Sequence, residues 1–418
     1  MVDPSPFKLT KRSDCRICGS TNLGAYLDLG DQPPSNAFIP AEAISQEQAF
    51  PLKVYLCQDC GLSQLIHIVS AQSIFDDYVY LSSTSKALCA HYQGMVDSAL
   101  SKFELSDDSL IVDIGCNDGI MLNCYPKDKF QLLGVEPSSA GDFARKAGFK
   151  VIDKFFDATL GADIKAEYKG ASIITATNVF AHVDDIHSFT AGIIELLAPE
   201  GVFIIEFPYL GDMLEDLYFD TIYHEHLCYF ALTPVVRLLG DHNLRAFRVE
   251  RTDLGASGPA LRLFVCRELS SFNVEPSISE LIDAETSWGV KETKRYKKFG
   301  MDVANIKEKI LEFIDDFLSQ GKKLGGFGAP AKGNTLLNYL GLNETSLTFV
   351  AENNDLKIGQ VTPGSHIPIV GDQEFLESEI SHALLLSWNY AEFFIKNSAF
   401  VKDGGKFIIP FPSPHIAP

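Results

Sequence analysis

The chain has 418 residues, 46% of them hydrophobic and 22% charged, which is the composition of a globular protein with room for two or three cores. Its formal net charge of −20 repels a phosphate backbone and disfavours a nucleic-acid partner. No apolar run is long enough to span a bilayer, and the N-terminus lacks the charged-then-apolar layout of a signal peptide, so no membrane partner and a cytoplasmic location are expected.

Nine cysteines in such a chain argue for thiols or metal rather than disulfides. Four of them come first and in pairs, Cys15-Arg-Ile-Cys18-Gly and Cys57-Gln-Asp-Cys60-Gly. Each pair places two thiolates on a tight turn, and two such turns supply the four soft ligands that tetrahedral zinc prefers. A site closed by Cys15, Cys18, Cys57 and Cys60 leaves no open position for water, so the expectation is one structural zinc ion holding a module over residues 1–75.

The next unit, expected over residues 76–265, opens on the apolar strand Leu110–Gly115 and the turn Gly115-Cys-Asn-Asp-Gly119. A helix is expected after the turn, then a second strand, Gln-Leu-Leu-Gly-Val-Glu-Pro, which puts Glu136 and Pro137 at its carboxyl end. An acid there accepts the hydroxyls of a ribose, which suits any adenosine cofactor. A dinucleotide needs G-x-G-x-x-G, so that backbone amides reach a pyrophosphate. Here Asn117 and Asp118 set a carboxylate where that pyrophosphate would lie, whereas the sulfonium amino acid of S-adenosylmethionine tolerates it. Gly115, Asn117, Asp118, Gly119, Glu136 and Pro137 are therefore cofactor candidates. A third strand leads to Asn178-Val-Phe-Ala-His182, at the sheet edge where ligands bind, which adds Asn178 and Val179 to the cofactor set and His182 to the chemistry.

Tyr218–Phe230 carries Tyr223, His224, Glu225 and His226 in a row between aromatic flanks. Adjacent His-Glu-His lacks the i, i+4 spacing of a helical zinc motif, and general acid–base work fits better. An imidazole titrates near ~6.5, a Glu can orient it, and a Tyr hydroxyl can bond a developing oxyanion. A polar turn capping an aromatic core is the plainer alternative.

Residues 266–418 are expected to form a C-terminal α/β domain. The charged stretch Trp288–Lys307 reads as a solvated helix, and Lys323–Thr335 as a strand running into a helix through a glycine-rich turn. That turn, with Lys332, either cradles phosphate or serves close packing alone. Residues 410–418, rich in proline, read as an extended tail.

Together the paired knuckles, Val-Asp-Ile-Gly-Cys-Asn-Asp-Gly ending at 119, Gly-Val-Glu-Pro-Ser ending at 138, Asn-Val-Phe-Ala-His ending at 182, Tyr-His-Glu-His ending at 226 and Gly-Ala-Pro-Ala-Lys-Gly-Asn-Thr ending at 335 resemble the sugar C-3′-methyltransferases, over nearly the full chain. The family usually has Ser where Cys228 stands. The resemblance implies a class I Rossmann-like methyltransferase domain, between the zinc module and a C-terminal Rossmann-like domain that contributes to binding a nucleotide-linked (TDP or GDP) 4-keto-6-deoxyhexose. It implies His226 as base, with Tyr223, Glu225 and His182 at the active site, Lys332, Asn334, Lys357 and His366 as substrate-binding candidates, and a monomer. Methylation of a sugar oxygen or nitrogen is the enzymatic alternative. A zinc-ribbon binding protein with a vestigial cofactor fold is the non-enzymatic one.

Overall fold

The computed structural model describes residues 7–75, 81–255 and 258–418. Near the N-terminus, β1 (Leu23–Gln32), β2 (Phe50–Cys57) and β3 (Ser63–Leu65) pair antiparallel. In β2, buried Phe50, Leu52, Val54 and Leu56 alternate with more exposed neighbours, the period-two pattern of a sheet with one face on a core. The loops flanking β1 and β2 carry the two Cys-x-x-Cys turns.

After helix α1 (Lys86–Lys102) comes the strand the glycine turn demanded, β4 (Leu110–Ile114), buried at all five positions as a central parallel strand must be. It runs parallel to β5 (Gln131–Val135), which runs parallel to β6 (Lys150–Ile152). The expected helix between β4 and β5 is replaced by a single 3₁₀ turn, Leu122–Cys124. Pro126 disfavours helical backbone at Tyr125 and stops the helix before it can propagate.

Helix α2 (Ala158–Tyr168), strand β7 (Ala171–Thr177), helix α3 (Ile186–Leu196) and strand β8 (Leu197–Pro208) follow. Strand β9 (Cys228–Tyr229) leaves this layer and joins β3 of the N-terminal sheet. Helix α4 (Leu232–Asp241) leads to the antiparallel pair β10 (Leu244–Gly255) and β11 (Gly258–Arg267). The seven-stranded order is β10-β11-β8-β7-β4-β5-β6, so the chain reverses direction of travel at β4, between β5 and β7. Loops leaving β4 and β7 diverge there and open a crevice at the carboxyl edge. This is the class I Rossmann-like sheet.

Helices α5 (Pro276–Trp288) and α6 (Thr293–Ser319) connect to a second parallel layer. The charged stretch is helical from Thr293, but α6 is more than a solvated face: Tyr296, Phe299, Val303, Ile306, Ile310 and Ile314 form one buried stripe at spacings of three and four. Strand β12 (Leu324–Phe327), helix α7 (Ala331–Leu340) and strands β13 (Val350–Ala351), β14 (Ile369–Val370), β15 (His382–Leu385), β16 (Lys406–Ile409) and β17 (His415–Ala417) complete it. The order is β14-β13-β12-β15-β16-β17, parallel except for β17. The expected tail is thus an edge strand, its backbone paired with Phe407–Ile409 instead of with water.

Helices α2 and α3 cross at two glycines. A Cβ on Gly161 would lie 2.4 Å from the carbonyl oxygen of Gly192. Alanine is the better helix former by about 1 kcal/mol, so an isolated helix would gain from the change. Backbone cannot yield as a side chain does, and overpacking costs about 1–3 kcal/mol. Gly161→Ala is therefore expected to lower the urea midpoint of unfolding with the m-value unchanged.

Candidate active site

A cavity of about 1150 Å³ opens at the switch point and extends to the C-terminal layer. Single-ligand pockets run to roughly 1,000 Å³, so this one has room for two reactants. At its cofactor end, Gly115 (φ 70°), Asn117 (φ 49°) and Gly119 (φ 84°) turn the chain through left-handed backbone. A Cβ on Gly115 would come within 2.2 Å of Val179 Cγ2, so the loops after β4 and β7 touch because this residue has no side chain. Glu136 Oε2 accepts from the Asn117 amide and Oε1 from the Ser138 amide, each at 2.9 Å. These bonds fix the carboxylate and leave lone pairs on both oxygens for a pair of hydroxyls.

Pro137, Asn178 and Val179 also line the cavity. Both amide atoms of Asn178 are buried with no partner among the described residues, which fits a polar ligand the fold expects there. Asp118 and Gly119 are not on the wall. Asp118 Oδ2 accepts from the Ser83 amide at 3.0 Å, and Asn117 Oδ1 from Ser82 at 2.9 Å, so these side chains hold the 81–84 segment across the loop. Gly119 backs onto Phe149 and Ala144. Lys154, Phe155, Phe156 and Asp157 line the cavity as well. Their signal in the sequence was only a Phe-Phe pair before the Asp157 cap of α2.

Tyr223, Glu225, His226 and His182 meet on the cavity wall, while His224 points away, its Nε2 3.2 Å from the Phe50 carbonyl. The His226 ring lies 4.1 Å from that of Tyr223 and 4.9 Å from that of His182, centroid to centroid. His226 Nδ1 donates to the Thr221 carbonyl at 2.8 Å. A carbonyl only accepts, so the proton of a neutral imidazole sits on Nδ1 and Nε2 is left bare. The expectation that Glu225 orients the imidazole is corrected here, because Glu225 Oε1 accepts instead from Asn36 Nδ2 at 2.7 Å. Burial pushes His226 down to about 3, with His182 adding to the effect, and pushes His182 down to about 4. Burial likewise raises Glu225 to about 7. Asn36 sits in a Pro-Pro-Ser-Asn loop that reads as a turn and carries no sequence signal of this contact.

At the far end, Lys332 and Lys357 line the cavity. Lys332 Nζ donates to Asn389 Oδ1 at 2.6 Å and lies 4.0 Å over the Trp388 ring. Burial lowers it to about 8, against the attraction of Asp220, which is itself raised to about 6. Lys357 Nζ donates to the Ala329 carbonyl at 2.8 Å. Two expected substrate residues are elsewhere. Asn334 is buried one turn along α7 and donates to the Ser35 carbonyl at 2.7 Å. His366 lies outside the cavity, with Nε2 2.7 Å from Glu47 Oε2, because left-handed backbone at His366 (φ 53°) turns it toward the N-terminal region.

The thiols of Cys15, Cys18, Cys57 and Cys60 converge within 4.8 Å, and the closest pairs, Cys15–Cys60 and Cys18–Cys57, are 3.5 Å apart. Four sulfurs at about 2.3 Å from one zinc ion stand about 3.8 Å apart, so the cluster fits a tetrahedral site. None of the nine cysteines is in a disulfide.

Three family models match consecutive parts of the chain: "Putative zinc binding domain" over residues 15–75, "Methyltransferase domain" over 90–248, and "C-methyltransferase C-terminal domain" over 255–412. The C-methyltransferase NovU of Streptomyces niveus is 32% identical over 406 residues, 96% of each chain. Among solved structures, the magnesium protoporphyrin IX methyltransferase of Synechocystis PCC 6803 with bound SAH is 15% identical over 43% of this chain and 83% of its own, with a TM-score of 0.34. The Burkholderia thailandensis 1,6-didemethyltoxoflavin-N1-methyltransferase is 15% identical over 44% and 80%, with a TM-score of 0.33. The described residues contain no helix long and apolar enough to cross a membrane. With the cofactor loop and thiol cluster in place, the chain belongs to the C-methyltransferase family of NovU and is an S-adenosylmethionine-dependent C-methyltransferase with a zinc-binding module.

Proposed function

We propose that this enzyme methylates C3 of a nucleotide-linked 4-keto-6-deoxyhexose, on a TDP or GDP carrier, in deoxysugar biosynthesis. The observation that carries the reading is a neutral histidine, His226, with its proton held on Nδ1 and its Nε2 bare, on the wall of the cavity that the cofactor loop also lines. Carbon methylation requires removal of a C–H proton, and an oxygen or nitrogen acceptor would need no such base of its own at carbon. A ketone at C4 acidifies the C3 proton, because the charge left behind delocalises onto O4 as an enolate.

In this reading His226 Nε2 takes the C3 proton, and Tyr223 or His182 donates to the developing O4 charge. S-adenosylmethionine, when bound, supplies an electrophilic methyl group on its sulfonium. Glu136 and Asn178 would hold it against the substrate, and holding both reactants in one cavity is a large part of the rate. Lys332 and Lys357 would face the anionic carrier, residues 266–418 closing over it. The units 1–75, 76–265 and 266–418 then divide the work into bracing, methyl transfer and substrate capture.

His226→Ala is expected to abolish C-methylated product and solvent-deuterium exchange at C3 while leaving cofactor affinity nearly unchanged by calorimetry. Persistence of exchange would assign the base elsewhere. Gly115→Ala, which drives a methyl into Val179, should instead weaken cofactor binding by about fivefold or more, since a close contact of this kind costs about 1–3 kcal/mol.

The pH profile has a definite sign. A base depressed to about 3 stays unprotonated at every higher pH, so the limb of kcat/KM it controls lies far to the acid side of the usual ~6.5. Glu225, raised to about 7, titrates near neutrality and would mask it. In Glu225→Gln combined with Asp220→Asn, which removes the other carboxyl raised toward neutrality, the limb near 7 is expected to vanish, leaving activity flat down to about pH 5. An acid limb near 6.5 in that variant would mean that the base is an imidazole in contact with water.

A further inference from the structure

We infer that Arg16, between the first two cysteines, is a positioning residue that holds the His182 and His226 segments in register from inside the metal knuckle. The inference rests on the assignment of those two histidines to catalysis.

The Arg16 side chain is wholly buried, an uncommon state for a guanidinium unless it is paired. Its Nε donates to Asp184 Oδ1 at 3.0 Å, two residues beyond His182 on a loop that lines the cavity. Its Nη1 donates to Gln64 Oε1 at 3.0 Å and to the Leu65 carbonyl at 2.5 Å. Those two partners lead to the other histidine. Gln64 pairs with Cys228 across β3 and β9, and the Leu65 amide donates to the Leu227 carbonyl at 2.9 Å, next to His226. Leu227 N in turn donates to the Ala181 carbonyl at 2.8 Å, which closes the circuit beside His182.

The knuckle also grips the first turn of α3, directly after that loop. The Ile17 carbonyl is 2.8 Å from His187 Nε2, and His187 Nδ1 is 2.9 Å from His242 Nε2. Arg16 and Ile17 are the two residues enclosed by Cys15 and Cys18, so their backbone positions follow those of the thiols. A structural knuckle needs only the cysteines and a glycine at the turn. Nothing in metal binding calls for a buried fork between them, aimed at one loop of the active site and one strand beside it. A guanidinium suits the task because its separate nitrogens face Asp184 on one side and Gln64 with Leu65 on the other, whereas a lysine has one nitrogen and cannot span both sides.

The test compares wild type with Arg16→Lys, Arg16→Ala and Asp184→Asn in the full-length protein. Zinc content, KM for S-adenosylmethionine, kcat and C3 deuterium exchange are measured for each. Displacement of a reacting group by about 1 Å costs about a hundredfold, so Arg16→Ala and Arg16→Lys should lose about 10–100-fold in kcat and in exchange. One zinc per chain and a KM for the cofactor within about twofold of wild type should be retained, since the Gly115–Gly119 turn and Glu136 are not in the circuit. Arg16→Lys keeps the charge and most of the volume, and so guards against a variant that fails to fold. Asp184→Asn, on a half-exposed side chain, should cost less, and its effect should be non-additive with Arg16→Lys, as expected for partners. Wild-type kcat in Arg16→Lys, or strict additivity with Asp184→Asn, overturns the proposal, as does a loss of kcat only in proportion to lost zinc. His226→Ala in the same series separates the two readings: if it still turns over and exchanges, the base assignment has failed, whatever Arg16 does.

Discussion

The Thr221 carbonyl accepts the Nδ1 proton of His226, and much of the architecture can be traced to keeping that carbonyl where it is. Thr221 ends the buried turn Phe219–Thr221, which has no sheet of its own to lean on. Its neighbours are held from the C-terminal layer: Trp388 Nε1 donates to Asp220 Oδ2 at 2.6 Å, and Thr335 Oγ1 to the Ile222 carbonyl at 3.1 Å. The other side of the same segment is held by β9 against the N-terminal sheet. A tautomer in the middle region therefore depends on packing from both ends of the chain. Asn334 belongs to the same logic: its bond to the Ser35 carbonyl ties α7 to the N-terminal loop, one residue from the Asn36 that holds Glu225.

Charge inside the cavity is set locally. The net charge of −20 is spread over a surface in salt water, where a Debye length of about 8 Å screens it. Lys332, Asp220 and Glu225 are buried and Lys357 is half-buried, and the pairs Lys332–Asp220 and Lys357–Glu225 are screened far less. Lys332 is fixed by Asn389 and the Trp388 face, so its cation is already placed before any ligand arrives. An acidic protein can in this way hold individual cations in place on the wall of a cavity that carries carboxylates as well.

Legibility in the sequence followed the range of the physics. The four cysteines, the glycine turn with Glu136, and the β12–α7 unit were readable because their constraints are local: ligand spacing, left-handed backbone, an apolar strand before a helix start. Tyr223, Glu225, His226 and His182 were readable as residue types, but the partner of His226 was not, since any of 418 carbonyls could have served. The places of Asn334 and His366, off the cavity wall, were hidden for the same reason in reverse. Asn334 is on the first turn of α7 and His366 in a loop, and only the tertiary contacts with Ser35 and Glu47 show that they hold chain to chain. Asp118 lies on the glycine turn, but its carboxylate faces the 81–84 segment, a contact no spacing announces. The helix lost after Gly119 and the strand gained at His415–Ala417 were decided by Pro126 and by an open sheet edge.

Burial lowers His226 to about 3, which at first sight makes it a poor base. The shift from ~6.5 corresponds to on the order of 5 kcal/mol against forming a lone imidazolium in this site. In the proposed reaction, however, proton abstraction would not make a lone imidazolium. It would make an imidazolium and an enolate together, and two unit charges about 4 Å apart at an effective dielectric of about 20 attract by about 4 kcal/mol. The same low-dielectric surroundings that disfavour stray protonation of the resting enzyme therefore offset most of that penalty once the anion appears. Ring contacts at 4.1 and 4.9 Å with Tyr223 and His182 place two further polar side chains around the base, and neither brings a net charge that would have to be expelled. A more exposed histidine would be the stronger base in the empty enzyme and would gain less from the enolate. On this accounting the burial enforced from both ends of the chain is what makes the base selective for a reaction that generates its own counter-ion.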